Sequence, residues 1–200
     1  MGKRLPGGGY NCTMSPEAPA GVPTSWIQRI RVPLGFLFAI LFLLVARPEM
    51  SRLAPGLIVA GVGLAVRTWA AGHLRKHEGL SVRGPYRWTR NPLYLGSFLM
   101  GIGFCIAASS GLLTLLFAGL FATIYVPVMR REEAELEQAY GDPYRRYRTD
   151  VPLILPTGRS CGAIAGGSFS WTQVFRNREH QAWAGAVIIS AYLSIRVIWP

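Results

Sequence analysis

The chain has 200 residues, half of them hydrophobic and only 16% charged, with a formal net charge of +11 and a mean hydropathy of +0.27. That balance excludes an ordinary soluble domain and points to an integral membrane protein. The basic excess does not signal nucleic acid, because the Lys and Arg residues flank apolar runs and no nucleic-acid motif is present.

Residues 1–25 are rich in Gly and Pro and read as a disordered tail. They do not read as a signal peptide, since the first apolar run starts only near Trp26 and no basic, apolar and small-residue cleavage pattern precedes it. Apolar runs follow at about 26–46, 53–74, 93–108, 112–129 and 182–199. They predict an all-α fold, a multi-span transmembrane helical bundle of about five spans with a cytoplasmic cap. At about 1.5 Å per residue the shorter runs reach only roughly 24–27 Å, so flanking residues or local thinning must complete the crossing. Residues 26–156 read as the membrane core, 157–180 as a linker and 181–200 as an additional C-terminal transmembrane helix.

Four of the 21 Lys and Arg residues lie before or at the start of the first run, five between the second and third, and eight between the fourth and fifth. Arg47 and Arg52 fall on the other side, and Arg67 and Arg196 lie inside runs. The positive-inside rule therefore places the N-terminus in the cytoplasm, of a bacterial inner membrane or an internal eukaryotic one, and Pro200 outside. Cys12, Cys105 and Cys161 are far apart, without metal-ligand spacing or a disulfide framework, so no metal is expected.

The second run carries Gly56, Ala60, Gly63 and Arg67 on one face, a small-residue stripe that lets another helix approach closely. Arg67 inside a span must snorkel, pair, or face a substrate. The third and fourth runs are joined by little more than Ser109-Ser110-Gly111, which predicts an antiparallel hairpin. Pro127 is expected to bend the fourth helix, so that a separate acidic helix from Glu132 to Tyr140 folds back as an amphipathic cap and stops at Gly141-Asp142-Pro143.

Two polar stretches flank that hairpin. The first is Arg83-Gly84-Pro85-Tyr86-Arg87-Trp88-Thr89-Arg90-Asn91-Pro92-Leu93-Tyr94-Leu95-Gly96. Asn91 before Pro92 is a favoured helix start, with an Asn side chain to cap free amides and a proline where no amide partner is lost. The second is Arg130-Arg131-Glu132-Glu133, followed by Gly141-Asp142-Pro143-Tyr144, Tyr147 and Val151-Pro152. Arg130 and Arg131 suit lipid headgroups or the carboxylate or phosphate of a substrate. His73 reads as an interfacial side chain or, less simply, a ligand.

These pieces, together with Ala71-Gly72-His73 and Leu155-Pro156, resemble in order and spacing the membrane methyltransferase family that includes isoprenylcysteine carboxyl methyltransferases and phospholipid N-methyltransferases. The resemblance covers about residues 70–156. It implies S-adenosylmethionine as cofactor and a lipid or lipidated acceptor. It also implies that Glu78, Gly79, Leu80, Ser81 and Tyr86 line the cofactor, that Asn91, Pro92, Leu93 and Tyr94 form a second cofactor segment, and that Glu132 and Glu133 supply an acidic contact. Gly61 and Gly63 stand where the phospholipid enzymes use a Gly-x-Gly, although glycine in a span also serves packing. Substrate-binding candidates are Arg67, Arg130 and Arg131; no catalytic base is assigned. Isoprenylcysteine enzymes usually have His where this chain has Asn91, which the phospholipid enzymes share. The leading expectation is isoprenylcysteine-type carboxyl O-methylation. Phospholipid N-methylation, an NADPH-dependent sterol-reductase-like enzyme and a non-catalytic membrane scaffold stand as alternatives.

Overall fold

A computed structural model describes residues 26–75, 79–156 and 168–199, with the backbone alone for residues 26–32. The described residues form seven α-helices: α1 (Trp26–Val45), α2 (Met50–His73), α3 (Pro92–Ala107), α4 (Gly111–Tyr140), α5 (Asp142–Asp150), α6 (Trp171–Arg176) and α7 (Glu179–Ile198). A single 3-10 turn, Gly84–Arg87, precedes α3. Among the described residues α2, α4 and α7 are long and apolar enough to cross a membrane, while Pro33–Val45 and Pro92–Ala107 are shorter apolar helices. The five apolar runs are thus all helical. Outward-facing Phe36, Leu44, Ile58, Leu115, Val187, Ile188 and Ile198 are mostly exposed, an apolar surface that hydrocarbon rather than water would cover.

The stripe on α2 meets a matching stripe on α3. A Cβ added at Gly63 would strike the carbonyl oxygen of Gly96, and one added at Gly96 would strike that of Gly63. Gly103 is closed in the same way by Gly56 and Ala60. With no side chains between them the two backbones touch, which is how helices gain dispersion energy where no hydrophobic effect drives association. On its other side α3 packs on α4 through aromatic rings, Phe98 against Phe121 (5.0 Å) and Tyr94 against Tyr125 (5.6 Å), while Phe121 and Tyr125 stack on each other along α4 (4.7 Å). Ser109, with φ of 54°, closes the hairpin, and the Ser110 hydroxyl caps α4 by accepting from the Leu113 amide.

Two expectations are corrected. α4 runs unbroken through Pro127 to Tyr140, so the acidic segment continues the fourth span and is not a separate helix. One missing amide and one carbonyl clash are outweighed by the helix-forming Arg, Glu, Ala, Leu and Gln residues that follow. The chain turns back at Gly141 instead, whose φ of 58° favours glycine, and α5 packs beneath. Second, the stretch read as a linker holds α6 and the first turn of α7. It is anchored on α2: the Ser170 amide donates to the Gly72 carbonyl, and Asn177 Nδ2 donates to the carbonyls of Ala71 and Leu74. These bonds satisfy carbonyls that a helix C-terminus leaves without intrahelical partners.

Candidate functional site

The antiparallel hairpin brings the N-terminus of α3 and the last turns of α4 to one end of the bundle. There the Tyr94 hydroxyl donates to Glu132 Oε1 at 2.8 Å. One residue along α4, Glu133 forms an ion pair with Arg90 in which both side chains are largely buried. Arg90 Nη1 and Glu133 Oε1 are each other's partners in that pair, which leaves Arg90 Nε as the buried nitrogen without a hydrogen bond. A buried donor left over in this way is uncommon and costs free energy.

Asn91 sits at the N-cap position, with Pro92 at the first helical position, but its side chain makes no capping bond. Its Nδ2 donates instead to the Leu153 carbonyl at 3.2 Å. The Arg90 amide donates to the Pro152 carbonyl, and the Thr89 hydroxyl donates to Leu153. The Pro152-Leu153 segment therefore acts as a brace: three hydrogen bonds hold residues 89–91 against it, and the Asn91 side chain is spent on that brace rather than on the helix terminus.

The loop before α3 is held by a small aromatic core of Val82, Tyr144, Tyr147 and Val151, with Leu80, Leu136 and Tyr140 packed against it. Within it the Tyr147 hydroxyl donates to the Tyr86 carbonyl at 2.7 Å. Tyr86 is itself buried, and its phenol is pushed well above the usual tyrosine range, first by burial, then by the negative charges of Glu132 and Glu179. It is a neutral hydroxyl at any physiological pH. Burial also raises the Tyr144 phenol to about 12, with Glu133 reinforcing the shift and Arg90 opposing it.

Tyr86, Asn91, Pro92, Leu93, Tyr94, Glu132 and Glu133 thus gather at one end of the bundle, with Gly79, Leu80 and Ser81 in the loop leading to them. Gly79 has a φ of 104°, a backbone conformation that favours glycine. Glu78 lies outside the described residues. Gly63 is occupied by the α3 backbone, whereas Gly61 faces away from α3 onto a shallow apolar groove that also includes Leu64, Ala65, Thr68, Trp69, Phe169 and Trp183. Arg130 is exposed, and Arg131 pairs with Glu135 one turn along the helix. His73 hydrogen-bonds the Trp69 carbonyl through Nδ1 and packs against Trp69 and Phe169. Among the described residues no group of three His, Cys, Asp or Glu side chains is placed to hold a metal ion.

Arg67 neither snorkels nor stands open. It pairs with Glu179 of α7 and also donates to the Ser97 hydroxyl. Glu179 and Ser97 are the residues that sequence reading passed over. The available signal was a lone cation in the second apolar run and a lone carboxylate just before the fifth, both near the same membrane surface, where each lowers the other's burial cost.

Residues 56–143 match the family model for phospholipid methyltransferase. The chain is 29% identical over 175 residues to the cobalt-zinc-cadmium resistance protein CzcN of Cupriavidus metallidurans, covering 80% of this chain and 79% of that protein. It is 31% identical over 86 residues to the protein-S-isoprenylcysteine O-methyltransferase of Schizosaccharomyces pombe, covering 43% of this chain and 36% of that protein. To the methanethiol S-methyltransferase of Mycobacterium tuberculosis it is 42% identical over 72 residues, 36% of this chain and 28% of that protein. The chain therefore spans only about a third of the length of these two methyltransferases. No solved structure matches it. Residues 56–143, which contain the stripe of α2, the braced entry to α3 and the two glutamates of α4, are thus similar to the phospholipid methyltransferase family of membrane methyltransferases.

Proposed function

We propose that the chain is an integral membrane, S-adenosylmethionine-dependent methyltransferase that acts on a lipid-embedded acceptor at the cytoplasmic face. The observation that carries this reading is the convergence of Arg90 and Tyr94 with Glu132 and Glu133 from opposite arms of the α3–α4 hairpin. Two carboxylates, a guanidinium with one unpartnered buried nitrogen and a phenol suit an amino-acid zwitterion and ribose hydroxyls. Aromatic rings at Tyr86, Trp88 and Tyr94 suit adenine or a sulfonium. When bound, S-adenosylmethionine supplies an electrophilic methyl group.

The chain's own contribution is positioning. Glu132 and Glu133 accept hydrogen bonds, Arg90 holds an anionic end, and the brace through Pro152-Leu153 keeps the segment 89–91 fixed. Alignment of this kind supplies roughly 7–11 kcal/mol of a displacement barrier when the nucleophile is already an anion. No base is then required. That favours a carboxylate acceptor of the isoprenylcysteine type, and a thiolate satisfies the same condition. A phospholipid amine is the second reading, favoured by Asn91, which removes the titratable side chain that the isoprenylcysteine enzymes usually have there.

The test is calorimetric titration of S-adenosylmethionine, S-adenosylhomocysteine and NADPH into the detergent-purified chain and a Glu132→Ala variant. Micromolar binding of the first two, lost in the variant, is the expected result; binding of NADPH alone would replace this reading with a reductase. Methyl transfer to an S-farnesylcysteine analogue, phosphatidylethanolamine and methanethiol then separates the acceptors, and transfer only to the amine would overturn the carboxylate reading.

A further inference from the structure

Glu179 lies beyond the matched stretch, at the first position of α7, and only 4% of its side chain is exposed. Both its oxygens are taken by Arg67: Oε1 accepts from Nη2 at 2.8 Å and Oε2 from Nε at 3.1 Å. The remaining arm of the guanidinium, Nη1, donates to the Ser97 hydroxyl, and that hydroxyl donates to the Leu93 carbonyl at 2.8 Å. An unbroken chain of hydrogen bonds thus runs from the first turn of α7 through α2 to the first turn of α3. It ends between Pro92 and Tyr94, in the segment that carries the Glu132 contact.

The stem of Arg67 has little freedom. A Cβ on Gly96 would lie 2.6 Å from Arg67 Cγ, so the absence of a side chain at Gly96 is what lets the arginine lie flat on α3. A buried ion pair of this kind does not in general make a fold more stable than apolar residues of the same volume would; its distinctive property is that it fixes one arrangement of the elements it joins. The negative charge of Glu179 also contributes to the upward shift of the Tyr86 phenol, behind burial and Glu132, so this carboxylate and the site share one electrostatic environment.

We infer that the first turn of α7 is part of the cofactor site, with Glu179 and Arg67 acting as positioning residues that fix the entry turn of α3 and so set the affinity for the S-adenosyl ligand. The inference rests on the methyltransferase reading above. It makes the C-terminal helix a working part of the molecule rather than a second anchor, and it gives Arg67 a role that needs no direct contact with a substrate.

The experiment is calorimetric titration of S-adenosylhomocysteine into the full chain in detergent, paired with a melting temperature for each protein. The variants are Glu179→Gln, Arg67→Lys and the double replacement Arg67→Met with Glu179→Leu. Glu179→Gln and the double variant are expected to bind about tenfold more weakly, because a site held by a mispositioned turn loses affinity steeply. Arg67→Lys keeps the charge but not the three-way fork and falls between them and wild type. The double variant is expected to melt close to wild type, because replacing both partners of a buried pair is nearly neutral. Wild-type affinity in the double variant would overturn the inference, as would affinities that merely follow the melting temperatures. If the double variant does not fold, the affinity of Glu179→Gln decides by the same criterion. Failure of the wild-type protein to bind S-adenosylhomocysteine would instead remove the methyltransferase reading itself, and this inference with it.

Discussion

The Tyr94 hydroxyl reaches across to Glu132 Oε1 at 2.8 Å, tying together two residues 38 positions apart at the open end of the α3–α4 hairpin. A carboxylate so engaged keeps one oxygen in a fixed direction, which is what a recurrent ligand contact requires. Tyr94→Phe is expected to leave the melting temperature nearly unchanged, because the contact is partly exposed, while weakening S-adenosylhomocysteine binding by about tenfold. Calorimetry checks it; equal affinity in the variant would separate Tyr94 from the site.

Gly61 and Gly63 give opposite expectations although two residues apart. Gly63→Val drives a side chain into the α3 backbone and should destabilise the protein by about 1–3 kcal/mol or more, the range for an overpacked contact. Gly61→Val meets nothing within 4 Å and should not lower stability. Thermal unfolding in detergent distinguishes them. A loss of cofactor affinity in Gly61→Val at unchanged stability would assign Gly61 to the site.

Tyr147 holds the loop around Tyr86 by one buried hydrogen bond. Tyr147→Phe keeps the ring and deletes the donor, leaving the Tyr86 carbonyl buried without it. The expected cost is about 1–3 kcal/mol. Denaturant unfolding of the variant measures it, and hydrogen exchange should rise in residues 82–90 before it rises in α2 or α3.

Alkaline pH should first loosen the aromatic core of Val82, Tyr144, Tyr147 and Val151. The Tyr144 phenol has its folded-state pKa raised from 10.0 to about 12, and Tyr86 is shifted in the same direction. A group whose folded pKa lies above its unfolded value contributes its full stability below the unfolded value and loses it as pH rises through the folded one. Melting temperatures should therefore fall as pH rises from 10 towards 12, and fall less in Tyr144→Phe. A pH-independent melting curve over that window would contradict the burial of these phenols.

The braced entry to α3 shows where local sequence stops being sufficient. Asn91-Pro92 is a helix start by local chemistry, and α3 does begin at Pro92. Which partner the Asn91 side chain takes is a long-range matter: Leu153, 62 positions away, competes with the helix terminus and wins. Pro127 is the reverse case, where a local breaker signal was overridden because good helix formers follow it and the turn back is made at Gly141.

What the sequence by itself determined was the list of apolar helices, the hairpin closed by Ser109-Ser110-Gly111 and the small-residue stripe on α2. Each of these is written in composition and period, and water or lipid enforces it residue by residue. The motif spacing singled out Asn91 to Tyr94 and Glu132-Glu133, which the hairpin brings to one end of the bundle. Only the tertiary structure decided that Arg67 is neutralised by Glu179, that Ser97 links them to the turn of α3, and that Gly63 is filled by backbone while Gly61 is not. Those outcomes depend on which helix stands next to which. For single charges at the edges of apolar runs, periodicity is silent on the partner, and the burial cost that chooses it exists only once the helices have packed.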